Sequence, residues 1–468
     1  MRAMITMTAV AGLLAGLATA ATAGERVTWR TCGDGIQCAD VSVPVDWARP
    51  NGPRTSIGLA KLPARDQSRK LGPLVANLGG PGPTVQYLPQ FKDSFAELTQ
   101  WFDVIIFDPR GFGASQGVSC PTPAPVPDFA HWPPTERTPY ERYAEANRHF
   151  AENCTPALGA LRDKLNSWQG AHDLDAIRMA LGERKLNYYG NSFGTVYAQN
   201  YVELFGDKVN RMYLDSVFDH SNRDHRSWAM SGALVAEGNL HRFAKWAERE
   251  PTSALHGRDV LATWDRVIAA AEREPIPAPG AEPGRVVTAS EIVSLAPSGF
   301  EAAWPDFAKA LAQADKGDAT LFATQRRGAK DPDLSRIALC SDFPYDVSYD
   351  GLKRVESDVQ ARAPRVGYRL VWLMGYHCAG LPKIGVYPPK PIKAKNLPPI
   401  LVASGTYDDA TTPEHAKRVS AQLPGSRYLS AEGGHAQYWG GRNACVRDRV
   451  HRYLTSGELP APGSHCAA

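Results

Sequence analysis

The stretch KLNYYGNSFGTVYAQNYVELFG, residues 185–206, decides the fold. Residues 186–189 have the composition of a short buried strand and residues 195–205 that of a helix, so Ser192 falls on the turn between them. Glycine on both sides of the Asn-Ser-Phe centre leaves room for strand and helix to pack closely. This context is that of a nucleophile elbow, in which a strained turn exposes the serine hydroxyl. A Gly-Ser turn without chemistry is the alternative, because Gly-x-Ser-x-Gly is common by chance.

A second glycine-rich turn, Gly79-Gly80-Pro81-Gly82-Pro83, follows a predicted buried strand at residues 74–78, and a helix to about Trp101 is expected after it. Such a turn allows backbone N–H groups to approach a ligand closely. A phosphate-binding loop would need a lysine after its last glycine, and none is present. We therefore interpret the turn as an oxyanion loop that complements the Phe193 N–H and the start of the elbow helix, with a purely structural turn as the alternative.

Further apolar runs predict the rest of a sheet. The run at residues 102–107 is apolar except for Asp103, which is typical of strands covered on both faces in a parallel sheet. Antiparallel edge strands are expected at residues 41–45 and 56–62, on either side of a proline- and glycine-rich turn. More strands are predicted after the elbow at residues 209–217, 400–404 and 427–430.

The pattern changes to amphipathic helices over residues 219–390, including helices at 228–250 and 303–316. A helical block between strands of one sheet is typical of an inserted cap. The predicted division is a signal peptide at 1–23, a first core part at 24–218, the cap at 219–390 and a second core part at 391–468.

Two late loops carry the residues that would activate Ser192. Asp408 and Asp409 follow the strand at 400–404, and His435 lies on a glycine-flanked loop after the last strand. The chain order Ser, Asp, His is that of α/β hydrolases. In such a triad the histidine removes the serine proton and the carboxylate orients the imidazole. We predict Ser192, Asp408 and His435 as the triad, with Asp409 and Asp215 as other possible acids.

The N-terminal segment predicts export. Arg2 is followed by an uncharged, mainly apolar run to residue 23 that ends in Ala21-Thr22-Ala23, the features of a secretory signal peptide. A membrane anchor is the alternative, but glycine and threonine interrupt the run and no stop-transfer charges follow. We expect a secreted, extracellular protein.

Eight cysteines agree with an oxidising compartment. None has zinc-like spacing, so disulfides are the prediction and no metal is expected. Eight cysteines allow 105 pairings. Sequential pairing closes the shortest loops, and it gives Cys32–Cys38, Cys120–Cys154, Cys340–Cys378 and Cys445–Cys466.

Composition excludes other classes of partner. The 468 residues carry 52 Lys and Arg against 49 Asp and Glu, and no basic stripe or polybasic run stands out. Nucleic-acid and membrane partners are therefore not expected, no cofactor is predicted, and we expect a monomer.

Several motifs together resemble those of the secreted tripeptidyl aminopeptidases of actinobacteria, in the proline-iminopeptidase-like branch of α/β hydrolases. The matching motifs span almost the whole chain after residue 23: ValProValAspTrp at 43–47, AsnLeuGlyGlyProGly at 77–82, AspProArgGlyPheGlyAlaSer at 108–115, GlyAsnSerPheGly at 190–194, TyrAspAspAlaThr at 407–411 and the run from Cys445 to Cys466. Leu78, Pro83, Asp409 and Thr412 depart from the family pattern.

The resemblance implies the triad Ser192, Asp408 and His435, with the N–H groups of Gly80 and Phe193 as the oxyanion hole. It also implies the release of short peptides, most often tripeptides, from free N-termini, with the cap limiting substrate length. In this branch cap carboxylates are expected to bind the substrate ammonium, and the candidates are Glu237, Glu301 and Asp342.

Two other functions use the same residues. A secreted carboxylesterase would need the same triad and oxyanion hole, so the triad alone does not distinguish it from a peptidase. A catalytically silent binding module would be expected to lack a triad member, and none is missing here.

Overall fold

The computed structural model describes residues 26–324, 333–441 and 443–467, so the predicted signal peptide at 1–23 lies outside the described residues. The strands are β1 (Arg30–Gly33), β2 (Ile36–Pro44), β3 (Arg54–Leu62), β4 (Pro73–Asn77), β5 (Asp103–Phe107), β6 (Leu186–Ser192), β7 (Val209–Val217), β8 (Ile276–Pro277), β9 (Val286–Val287), β10 (Leu401–Gly405), β11 (Arg427–Ala431) and β12 (His465–Cys466).

The helices connect these strands or belong to the segment between β7 and β10. They are α1 (Leu88–Phe91), α2 (Arg137–Leu158), α3 (Ser167–Ala180), α4 (Gly194–Phe205), α5 (His225–Arg249), α6 (Val260–Arg273), α7 (Ala289–Ser294), α8 (Trp304–Ala314), α9 (Thr320–Thr324), α10 (Asp333–Asp342), α11 (Tyr349–Gln360), α12 (Val371–Cys378), α13 (Pro413–Gln422) and α14 (Ala444–Ser456).

A single ten-stranded sheet forms the centre of the fold, in the order β1-β2-β3-β5-β4-β6-β7-β10-β11-β12. The first three strands pair antiparallel, as does β3 with β5. All pairs from β5 to β12 are parallel. This arrangement confirms the predicted α/β-hydrolase class with its mostly parallel sheet.

The chain reverses its direction of progress across the sheet between β4 and β6. β5 lies on one side of β4, whereas β6 and every later strand of this sheet lie on the other. The carboxyl ends of β4 and β6 therefore form the topological switch point, where open α/β sheets bind their ligands. The Gly79 turn and Ser192 are placed at this point because each ends one of these two strands.

Most predicted elements are found within one or two residues of their expected bounds, including β7 and β10. One prediction was wrong: the segment after the Gly79 turn is not a continuous helix to Trp101 but the short helix α1 with single 3₁₀ turns. The sequence analysis also missed β12, whose two residues pair with Ser430 and Ala431 near the C-terminus.

A buried ion pair fastens the first strands to α3. Both Arg110 and Asp173 are about 2% exposed, and the guanidinium donates to the two carboxylate oxygens at 2.7 and 2.5 Å. The same guanidinium donates to the Val45 carbonyl oxygen, and Trp47 Nε1 donates to Asp173 Oδ1 at 2.8 Å. The pair thus joins two motifs that are far apart in sequence, at residues 43–47 and 108–115.

Two hydrophobic clusters divide the cap. One lies wholly within the cap and is centred on the bulky residues Phe243, Trp264, Phe307 and Leu311. The later part of the cap shares the main core instead: Trp372 belongs to the same cluster as α3 and α4 residues. Helix α2 also packs on the later part of the cap, since the Tyr143 hydroxyl on α2 donates to the Tyr376 carbonyl oxygen at 2.7 Å. The residue 219 and 390 boundaries remain our proposal for the division of the chain.

The cysteines form the four sequential disulfides, Cys32–Cys38, Cys120–Cys154, Cys340–Cys378 and Cys445–Cys466. Each bridge fastens one local region: the β1–β2 hairpin, the loop before α2, the later cap, and α14 with β12. Of the helices in the described ranges, none is both long and apolar enough to cross a bilayer.

Removal of one partner of the Arg110–Asp173 pair should destabilise the fold strongly. Asp173→Ala leaves a buried guanidinium without its carboxylate and Trp47 without its acceptor, which we expect to cost about 3–5 kcal/mol. Urea unfolding followed by tryptophan fluorescence measures this loss. The control is Asp448→Ala, which breaks an ion pair with Arg452 that is about half exposed on α14. Equal loss in both variants would contradict the role of the buried pair.

Candidate active site

Ser192 ends β6 in a left-handed backbone conformation, with a φ of +51°. This conformation is strained for a residue with a Cβ and is the mark of the turn predicted from Gly-x-Ser-x-Gly. The helix α4 begins two residues later, so its N-terminal amides face the same space. A Cβ on Gly194 would stand 2.3 Å from the Asn77 carbonyl oxygen, so this position tolerates only glycine.

The glycine-rich turn after β4 lies directly against the serine. Gly79 has a φ of +97°, and a Cβ there would stand 2.7 Å from Ser192 Cβ and 2.9 Å from the Phe193 nitrogen. The Gly79 N–H donates to Asn77 Oδ1 at 3.1 Å. The amide of Gly79 is therefore occupied, and the next amide, of Gly80, is the donor that the turn can offer beside Phe193.

Two other parts of the chain support the glycine-rich turn. Asp108, which follows β5, accepts hydrogen bonds from the Val85 and Ala114 amides at 2.8 Å each. Burial raises the pKa of the Asp108 carboxyl, although these backbone donors oppose the rise. From the cap, Ser335 on α10 donates to the Pro81 carbonyl oxygen at 2.5 Å. The turn is thus held from the core and from the cap.

Asp408 and His435 form a hydrogen-bonded pair, in which the carboxylate is buried and the imidazole is partly buried. His435 Nδ1 lies 2.9 Å from Asp408 Oδ2, and the Asp408 side chain is fully buried. Thr411 donates through its hydroxyl to the same oxygen at 2.6 Å, and the amides of Ala410 and Thr411 donate to Oδ1 at 3.1 and 2.9 Å. These bonds fix the carboxylate in one orientation toward the imidazole.

The pair shifts the titration of both groups. Burial alone would raise the pKa of Asp408, but the nearby His435 and the Thr411 hydrogen bonds outweigh it, and the pKa lies below its usual value. Burial alone would lower the pKa of His435, yet the Asp408 carboxylate outweighs that effect and the pKa lies above its usual value. An ionised Asp408 therefore stabilises a positive charge on His435.

The two other acids considered from the sequence have different partners. Asp409 turns to the cap, where its carboxylate lies 3.5 Å from Arg369 Nη2. Asp215 is fully buried and accepts the backbone amides of Gln437 and Tyr438 at 3.1 and 2.9 Å. Asp215 thus holds the loop that follows His435, while Asp408 contacts the imidazole itself.

Ser192 opens into a small, mostly apolar cavity of about 190 Å³ under the cap. Ser192 and Thr411 both line it, so the elbow and the loop that carries Asp408 face the same space. No hydrogen bond joins Ser192 to His435 within the described ranges. The described lining residues include no acid: Gly80, Pro81, Ser192, Phe218, Trp228, Ser335, Leu339, Leu373, Met374, His377, Ala410 and Thr411.

The three cap carboxylates named from the sequence are placed differently. Glu237 is buried and accepts the Arg365 and Val366 amides at 3.1 and 3.0 Å. Asp342 is also buried, where it accepts from the Ser167 amide at 3.0 Å, and burial raises its pKa to about 8. Both carboxylates serve backbone contacts instead of facing the Ser192 cavity. Glu301 alone of the three is largely exposed, at the cap edge, where it pairs with Arg242.

Sequence reasoning missed several supporting residues. Thr411 belongs to the motif at residues 407–411, but nothing in its local sequence predicts that its hydroxyl donates to Asp408. Trp439 Nε1 donates to Asn191 Oδ1 at 3.1 Å, which ties the loop after His435 to the elbow. Across the ranges that the structure describes, no group of three or more His, Cys, Asp or Glu residues has an arrangement suited to a metal ion.

The contact between Gly79 and Ser192 gives a sharp prediction. Gly79→Ala should reduce hydrolysis of a p-nitrophenyl ester at least about 100-fold, because the new methyl group would displace the serine or the oxyanion turn. The control is Gly257→Ala, at a glycine whose φ is also positive, +71°, but which has open space around it. That variant should keep its activity. Equal activity of the two variants would contradict the packing argument.

Three comparisons with curated proteins extend over most of the chain. A tripeptidyl aminopeptidase of Streptomyces coelicolor is 29% identical and covers 97% of this chain and 88% of its own. The serine protease Hip1 of Mycobacterium tuberculosis is 27% identical, covering 95% and 91%. Carboxylesterase B of the same organism is 26% identical, covering 94% and 90%.

A family model described as TAP-like protein matches residues 364–466, the segment that carries Asp408 and His435. The strand order, the left-handed serine at the switch point and the Asp408–His435 hydrogen bond agree with these similarities. The chain is a serine hydrolase with the α/β-hydrolase fold, and along almost its whole length it is similar to a tripeptidyl aminopeptidase.

Proposed function

We propose that the protein is an exported serine exopeptidase that releases short peptides, most often tripeptides, from free N-termini. The observation that carries this proposal is the Asp408–His435 pair, whose acid loop lines, through Ala410 and Thr411, the same cap-covered cavity as the left-handed Ser192. The tripeptidyl aminopeptidase and Hip1 similarities direct the choice of a peptide substrate.

In the proposed mechanism His435 takes the proton of Ser192 while the serine oxygen attacks the carbonyl carbon of the third peptide bond. Asp408 holds the imidazole tautomer and stabilises the imidazolium. The N–H groups of Gly80 and Phe193 donate to the tetrahedral oxyanion. His435 then gives its proton to the leaving amine, and water releases the peptide from Ser192 by the same steps in reverse.

Export and a monomeric state are part of the same proposal. Four disulfides are typical of proteins from oxidising compartments and support export. Peptides with a free N-terminus are the proposed partners, and we propose that the enzyme acts as a monomer.

An esterase is the second candidate. Carboxylesterase B is similar over nearly the same length, and the lining of the Ser192 cavity is mostly apolar. Ester cleavage needs no protonated leaving nitrogen and no site for an ammonium group, so the two functions differ in what the cap must contribute.

The decisive experiment compares one tripeptide p-nitroanilide with its N-acetylated form. If a cap carboxylate binds the substrate ammonium, acetylation should lower kcat/KM at least ~30-fold, because it removes the ammonium charge and all its hydrogen bonds, which the bound substrate would shield from water. Ser192→Ala should abolish turnover of both substrates and of a p-nitrophenyl ester. Equal turnover of both peptides, or turnover of esters alone, would contradict the exopeptidase and favour the esterase.

Among the three cap acids we propose Glu301 for the ammonium. It lies two residues from Gly299, and a Cβ on Gly299 would stand 2.7 Å from Gly434 Cα, beside His435. The Glu301 side chain is 56% exposed and so remains accessible to a ligand. Glu237 and Asp342 have no such accessibility, since both are buried.

Glu301→Gln should raise KM for the free tripeptide substrate several-fold and leave ester hydrolysis unchanged. The expected size is small to moderate because Arg242 already neutralises part of the charge. The control is Asp306→Asn on α8, which removes an exposed acid from the same part of the cap. An unchanged KM in Glu301→Gln would contradict ammonium binding by Glu301 and assign that binding to another group.

A further inference from the structure

The loop that carries the proposed triad acid has a second carboxylate directly beside it. Asp409 is mostly buried, with 19% of its side chain exposed, and it lies between Asp408 and the cap. A second negative charge so near the pair would act on His435 as well. The arrangement of charges around Asp409 therefore bears on the proposed catalytic base.

Arg369 provides the opposite charge from the cap. Its side chain is 16% exposed, and Nη2 lies 3.5 Å from Asp409 Oδ2. Nη1 of the same guanidinium donates to the Val293 carbonyl oxygen at the end of α7, at 2.8 Å. Arg369 is thus held by the cap on one side and faces the acid loop on the other.

The backbone of Asp409 is also held by the cap. A Cβ on Gly232 of α5 would stand 2.9 Å from the Asp409 carbonyl oxygen and 2.7 Å from Leu370, the neighbour of Arg369. These close contacts leave Asp409 little freedom to turn elsewhere. The ion pair is therefore part of a fixed junction between the cap and the acid loop.

We propose that Arg369 is a positioning residue for the catalytic pair: its guanidinium engages Asp409 and offsets its charge, so that Asp408 has the dominant influence on the protonation and orientation of His435. This inference rests on the proposed triad and extends it to the cap. It also explains how this chain accommodates an aspartate where the resembling family commonly has another residue.

The charged groups around His435 agree with this role. Asp408, Asp215 and Asp409 all act on the imidazole, in that order of effect, and each favours its protonated form. Burial raises the pKa of the Asp409 carboxyl above its usual value. The charge of Arg369 opposes this rise and favours the ionised carboxylate. Other charged or titratable groups near this loop include Arg242, whose guanidinium stacks 3.2 Å from the centre of the Tyr407 ring, its partner Glu301, and the buried His415, whose imidazole Asp408 also affects.

The sign of the effect follows from the proposed base, which must be neutral to accept the serine proton. Activity is therefore lost as pH falls through the pKa of His435. This low-pH fall in activity is the acid limb of the pH profile. Removing the positive charge of Arg369 should move the acid limb to higher pH, and removing the negative charge of Asp409 should move it to lower pH. Removing both leaves the net charge unchanged and should return the limb close to its original position.

The experiment measures kcat/KM against pH for a p-nitrophenyl ester with Arg369→Gln, Asp409→Asn and the double variant. We expect shifts of about half a pH unit in opposite directions for the single variants, and restoration in the double variant. The control is Arg365→Gln, which removes an arginine of the same cap segment that pairs with Asp265 at the surface. Its acid limb should stay in place.

Other outcomes overturn the inference. A uniform loss of activity with an unmoved acid limb in both single variants would make the ion pair merely structural. Failure of the double variant to restore the limb would also contradict charge compensation. If Arg369→Gln does not fold, Asp409→Asn still tests the proposal through its shift to lower pH. Persistence of activity in Ser192→Ala, by contrast, would contradict the proposed function and not the charge balance.

Discussion

The contact between the Gly79 turn and Ser192 is the constraint on which the rest of the site depends. Neighbouring parallel strands lie about 4.8 Å apart, so the turns after β4 and β6 meet with no space for a Cβ at Gly79 or Gly194. The contact exists only because β6 pairs directly with β4, although β5 separates them in sequence. Sheet order therefore places the serine against the proposed oxyanion donors, before any cap residue is involved.

The second half of the site depends on the cap. Asn239 on α5 donates to the Tyr407 carbonyl oxygen at 3.0 Å, and Ser231 lies 3.1 Å from the Thr412 hydroxyl. Gly299 approaches Tyr407 and Gly434 so closely that a side chain would overlap with both. The loop that carries Asp408 is thus enclosed by α5 and by the loop before α8. A cap that only opened and closed as a lid would not need such contacts, so we infer that the cap holds the proposed triad acid in place.

Local patterns predicted the fold well, because a strand followed by a glycine turn and a helix is encoded within a few neighbouring residues. The elbow, the strands around it and the sequence order of Ser192, Asp408 and His435 are of this kind. Contacts between distant segments were not accessible in the same way. The burial of Glu237 and Asp342 depends on which backbone amides they meet, and the packing of α2 on the later cap depends on long-range aromatic contacts such as Tyr140 with Trp372. A carboxylate looks the same in sequence whether it binds a ligand or caps a helix.

The three aspartates near His435 differ in what their oxygens already bind. Asp215 is as deeply buried as Asp408, but its oxygens accept the amides of Gln437 and Tyr438 and the hydroxyl of Tyr189. These bonds fix the loop just after the histidine and leave Asp215 committed to the backbone. Asp409 is committed to Arg369. Of the three aspartates, only Asp408 has an oxygen directed at His435 Nδ1. Its other oxygen accepts the amides of its own turn, which fixes this orientation. The proposal of Asp408 as the triad acid, among three chemically equal aspartates, therefore follows from hydrogen-bond geometry: the partners of the other two aspartates hold them in supporting positions.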